Sequence, residues 1–139
     1  MAHEVEVRTT AVERYFFTPV YRGGPLAVLG WWEARRPIFN LCVGGAGLLS
    51  LATVATLLAL PPAPVHFSIP LGVVLVYGVM ANLCFTLGAP IDIALRRMLG
   101  SRAPAIGPVL FRYGFVFSVG LSLLPIPLAF MGWVLKLFS

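Results

Sequence analysis

The chain has 139 residues, of which 59% are apolar and 11% charged, and its net charge is +5. Soluble domains average about 25% charged residues, and a water-soluble core of this size needs far more polar surface to cover it. The basic residues flank apolar runs instead of interleaving with aromatics on one patch. That arrangement argues against nucleic acid and for a membrane, where topology and anionic headgroups favour positive charge beside the spans.

Residues 3–9, His-Glu-Val-Glu-Val-Arg-Thr, alternate polar and apolar. The period fits a strand added to a partner's sheet edge, but an isolated strand is unstable, so an extended tail is the preferred reading. Residues 11–36 are dense in aromatics, including Tyr15, Phe16, Phe17 and Tyr21. Gly23-Gly24 breaks the chain, and Pro25 can open a short helix running to about Arg36. Trp31, Trp32, Arg35 and Arg36 read as an interfacial anchor, with rings and guanidinium groups at headgroup depth; a docking surface for a membrane partner is compatible with it. Glu33 is placed to pair with Arg36 or Arg22.

From Ile38 to Leu60 no residue is charged. A helix rising about 1.5 Å per residue makes this stretch about 34 Å long, enough to cross a hydrocarbon core of about 30 Å. No early apolar segment or cleavage site precedes it, so it doubles as an uncleaved signal anchor. Its Gly44, Gly47 and Ser50 form a small-residue shoulder of the kind that lets helices approach closely. The turn after it, Pro-Pro-Ala-Pro-Val-His over 61–66, makes the next helix an antiparallel neighbour.

The second span covers about 67–89. Pro90 should end it, leaving a short amphipathic interfacial helix over 91–99 that carries Arg96 and Arg97. The third covers about 108–138, where Pro125 and Pro127 impose a kink. One bent crossing is preferred to a re-entrant hairpin, since each half alone is too short to cross. Gly114, Ser118 and Ser122 recur every four residues and mark a helix contact face. Arg112 reads as a snorkelling anchor at one rim, and Trp133 and Lys136 as anchors at the other.

The expected fold is therefore an all-α integral membrane protein, a bundle of three transmembrane helices with amphipathic interfacial helices on the cytoplasmic side. Residues 1–36 form the tail and anchor, and residues 37–138 the membrane domain. Nine arginines, from Arg8 to Arg112, fall on the side of the N-terminus and only Lys136 on the other. Positive residues resist translocation, so the chain is expected in the cytoplasmic (inner) membrane as a multi-pass protein, N-terminus inside and C-terminus outside.

Few groups carry chemistry. Asn-Leu-Cys occurs twice, at 40–42 and 82–84, and the two copies fall at matched depth on antiparallel helices. The preferred reading is an Asn40–Asn82 hydrogen bond between helices, with Cys42 and Cys84 as apolar fillers. A thiol–amide site for a soft metal or other ligand is the alternative, although it lacks a nearby histidine or carboxylate. Asp92 can cap its helix or pair with Arg96 or Arg112. His66 stands alone at a span boundary, which disfavours a bis-histidine haem. No HExxH, G-x-S-x-G or P-loop pattern is present, so no catalytic role, cofactor or metal is expected.

The function expected first is a non-catalytic accessory or assembly subunit of a larger inner-membrane complex. A homo-oligomeric channel or small transporter comes second, and an enzyme acting on lipid-soluble substrates third. The expected partners are the lipid bilayer and other membrane subunits or copies of the chain itself, with no nucleic acid. A reporter fused after Ser139 should report from the non-cytoplasmic side; a cytoplasmic signal would overturn the three-span count.

Overall fold

The computed structural model describes residues 10–18, 24–62, 64, 65, 68, 71–100 and 106–138. The alternating segment over 3–9, together with Arg22, His66 and Arg102, lies outside the described residues. Every regular element among those described is helical: α1 (Ala11–Phe17), α2 (Pro25–Glu33), α3 (Arg36–Ala59), α4 (Leu71–Leu99), α5 (Ile106–Leu123) and α6 (Pro125–Leu137). Three helical stretches are long and apolar enough to cross a membrane: Pro25–Ala59, Leu71–Leu99 and Ile106–Leu137.

Local chemistry sets most of the boundaries. Thr10 and Glu13 form a reciprocal capping box at the start of α1, with Thr10 N donating to Glu13 Oε2 (2.8 Å) and Glu13 N to Thr10 Oγ1 (3.2 Å). Pro25 occupies the first turn of α2, where a missing N–H costs nothing. The break between α2 and α3 precedes Pro37, which has no N–H to return to Glu33 and disfavours helical backbone at the residue before it. Gly100 ends α4 in the left-handed conformation, at φ 56°.

Pro90 does not end the second long helix. It lies inside α4, which continues to Leu99, so the separate interfacial helix expected over 91–99 is instead the last part of α4. Proline deprives the carbonyl four residues earlier, that of Thr86, of its partner. The turn beyond is held from outside by Asp92, which accepts from Trp32 on α2.

The third stretch is interrupted at Leu124, whose N–H donates to Leu121 O at 3.3 Å, the carbonyl that Pro125, four residues on, has no N–H to serve. Phe39, near the start of α3, meets Phe115 of α5 with ring centroids 6.4 Å apart. Trp133, near the end of α6, donates to Pro61 O just past the end of α3 (3.0 Å). Thus α5 and α6 run parallel to α3 and together extend along its whole length. They form one bent element, and α6 does not fold back on α5.

The core sits at one end of the bundle and is aromatic. Phe111, 2% exposed, is ringed by Tyr15 and Phe16 of α1, Trp31 and Trp32 of α2, Phe85 of α4 and Phe115 of α5. The centroid separations are 5.6–6.3 Å. Most of these rings meet edge to face, an arrangement worth about 0.5–1.5 kcal/mol per pair beyond burial. Phe111→Ala is expected to cost about 3–5 kcal/mol. Gly114→Ala three residues on, where an added Cβ meets nothing within 4 Å, should be near neutral. Unfolding followed by circular dichroism distinguishes the two.

Candidate functional site

Two polar clusters flank the aromatic core. The first joins the start of α3 to the middle of α4. Arg36 forms a two-pronged ion pair with Glu33, Nε to Oε2 at 2.7 Å and Nη2 to Oε1 at 2.6 Å. It then crosses to α4, donating from Nη2 to Thr86 Oγ1 (3.1 Å) and from Nη1 to Asn82 Oδ1 (3.4 Å). Its guanidinium carbon stands 5.1 Å from the Phe85 ring centroid, within cation–π range.

Asn40 Nδ2 donates to the same Asn82 Oδ1 at 3.2 Å, so the two asparagines of the repeated tripeptide meet across α3 and α4. Asn82 Nδ2 donates to Gly78 O and Thr86 Oγ1 to Asn82 O. Positions two apart on a helix do not share a face. Accordingly, the cysteines do not follow the asparagines into the contact: Cys42 is half-buried and Cys84 exposed, both free thiols.

From this cluster a shallow, open groove of about 490 Å³ runs along one face of α4, lined by Val74, Leu75, Gly78, Val79, Asn82, Leu83 and Thr86. It is apolar along most of its length and polar at the Arg36 end. A smaller recess of about 170 Å³ between α4 and α5 is bordered by Cys84, Gly114 and Ser118 among aromatic side chains.

The second cluster centres on a buried carboxylate. Asp92, 1% exposed, accepts from Trp32 Nε1 (3.2 Å) and pairs with Arg96, whose Nε lies 2.7 Å from Oδ1. Arg112, the other expected partner, instead bonds Pro108 O and stacks its guanidinium 4.5 Å from the Phe17 centroid. Gly107 packs so closely that a Cβ there would lie 2.6 Å from Asp92 Oδ2; at Gly88 it would lie 2.4 Å from the Trp32 ring. These two glycines, which no pattern in the sequence singles out, are the close-approach positions.

Trp32 and Arg35, expected as interfacial anchors, are 4% and 7% exposed. Trp32 turns inward because its indole N–H finds a carboxylate. Arg35 lies 3.6 Å from the Trp31 centroid and 5.0 Å from that of Tyr15, donating to Trp31 O and Tyr15 O while its own carbonyl accepts from the Tyr15 hydroxyl. Burial pushes the Tyr15 phenol above its ordinary pKa, with Arg35 acting in the opposite direction. Trp31 is half-buried and donates to Thr18 O; Trp133 and Lys136 are half-buried on α6.

The small-residue positions divide. Gly47 contacts Tyr77, at 3.7 Å for an added Cβ, whereas Gly44, like Gly114, faces open space. Ser50 is buried with no hydrogen-bond partner for its Oγ. Ser122 is buried too, bonded to the Tyr77 hydroxyl and donating to Ser118 O.

Among the described residues no group of three or more His, Cys, Asp or Glu is placed to hold a metal. The first cluster offers opposite charges and amides at the mouth of an apolar groove, which suits recognition of a polar group. The second is a brace. Asp92→Ala strips the buried Trp32 indole and the half-buried Arg96 of their acceptor, so it should destabilise the fold by about 1–3 kcal/mol. Asp92→Asn, which keeps an acceptor for Trp32, should cost clearly less; equal losses in denaturant unfolding would contradict the brace.

Comparison with protein-family models, with curated proteins and with solved structures finds no match, so the functional reading rests on these residues.

Proposed function

We propose that the chain is a multi-pass protein of a bacterial inner membrane that serves as a non-catalytic accessory or assembly subunit of a larger membrane complex. Its N-terminus lies in the cytoplasm and its C-terminus outside. The insertion is supported by the three long apolar helices, and the orientation by the arginines gathered at the end of the bundle opposite Lys136. In this reading α1, the Trp32–Asp92 brace and the last turns of α4 sit at the cytoplasmic rim.

The observation that carries the subunit role is the platform at that rim. Two short helices are fastened across the ends of α4 and α5 by the Phe111 cluster, although fixing each residue costs about 1–2 kcal/mol of backbone entropy. The platform nevertheless leaves large apolar side chains bare: Leu26 and Met98 are each 82% exposed, and Val12 65%. Leu26 and Met98 stand at the rim ends of their long helices and Val12 beyond them, and large apolar groups left bare together on an ordered rim suit an interaction surface. A channel or small transporter, the alternative reading, draws on the α5–α6 bend and the polar stripe; the engagement of Ser122 with Tyr77 inside one copy leaves it less support.

Native gels of mildly solubilised membranes, with mass spectrometry of the band, test the proposal. The chain should migrate with different polypeptides, and Leu26→Glu with Met98→Glu should release it while it remains in the membrane fraction. Migration as a lone monomer would contradict the subunit role.

A further inference from the structure

We infer that the groove on α4 is a lipid site, selective for a zwitterionic phospholipid whose headgroup carries a primary ammonium. The inference rests on the membrane reading above and is independent of any protein partner. From Thr86 back to Val74 the groove covers about 18 Å at helical rise. It starts at the rim where Arg36 enters and runs toward the level of Ser50, near the middle of α3. An acyl chain of the leaflet on that side would lie along Leu83, Val79 and Leu75 with its headgroup at the polar mouth.

The mouth matches both charges of such a headgroup. Arg36 has five N–H groups and Asn40 two on its amide. The bonds to Glu33, Thr86 and Asn82 use four of the first, and the bond to Asn82 uses one of the second. One N–H remains on Arg36 Nη1 and one on Asn40 Nδ2, a pair of donors for a phosphate oxygen. Glu33, with its side chain 57% exposed, keeps carboxylate lone pairs for an ammonium group. A trimethylated ammonium has no N–H to give them, and the neutral glycerol of phosphoglycerol brings no positive charge to Glu33. The site therefore distinguishes phosphoethanolamine from phosphocholine and from phosphoglycerol.

The test uses the full chain in mild detergent, equilibrated with mixed micelles holding equal amounts of phosphatidylethanolamine, phosphatidylcholine and phosphatidylglycerol. After gel filtration, the retained phospholipid is counted by class per protein. Phosphatidylethanolamine should exceed phosphatidylcholine by about tenfold, the factor one charge-assisted hydrogen bond supplies. Glu33→Gln should erase that preference. Gly78→Leu should lower retention of all classes without lowering the melting temperature, because a Cβ at Gly78 meets nothing within 4 Å and the longer side chain fills the slot.

Retention in the bulk ratio would overturn the inference, as would a preference for phosphatidylglycerol, no effect of Gly78→Leu, or a lipid-free dimer. Solubility without detergent would instead overturn the membrane reading itself.

Discussion

Phe111 is the point on which the fold depends. In lipid, apolar surface gains nothing by turning inward, since the surroundings are as apolar as the core, and helices are held by close packing and by polar contacts between them. In the proposed setting the chain must therefore obtain its specificity from shape and from a few hydrogen bonds. Six rings from four helices meet Phe111 within 6.3 Å. Beside them, Trp32 reaches Asp92 and binds the segment before the first long helix to the end of the second. Further along the bundle no ring cluster forms, and side chains meet singly: Gly47 on Tyr77, Tyr77 on Ser122, Trp133 on Pro61.

The three apolar stretches were legible because hydropathy over some twenty residues is a strong pattern: 38–60 corresponds to α3 over 36–59, and 108–138 to the bent pair over 106–137. The bend itself followed from Pro125 and Pro127. The Asn40–Asn82 contact could be read from the repeated tripeptide on antiparallel helices. The inward turn of Trp32 could not. Aromatic and arginine residues just before a span have the composition of a headgroup anchor, and only the presence of Asp92, sixty positions away, separates the two outcomes. Pro90 misled for a related reason: a proline breaks a helix on local grounds, but tertiary contacts on the following turn hold this one together. The capping box at Thr10 and Glu13 was a readable sign of α1 that hydropathy obscured.

The two polar clusters divide the work. Asp92 is buried against Gly107 and Trp32, and with the half-buried Arg96 it forms the brace. Arg36 and Glu33 lie at the open mouth of a groove, with donors and acceptors still to offer. A braced rim next to an exposed polar mouth suits both the proposed subunit role and the proposed lipid site.

The central claim is that the segment before the first long helix is folded into the bundle. It is tested most directly by the fluorescence of Trp32 as the sole tryptophan, with Trp31 and Trp133 replaced by phenylalanine, in vesicles containing brominated lipids and with iodide added to the water. Burial at 4% exposure predicts that both quenchers leave Trp32 largely unaffected. Strong quenching by brominated lipid would return Trp32 to the headgroup layer, and the account built on Phe111 would fail with it.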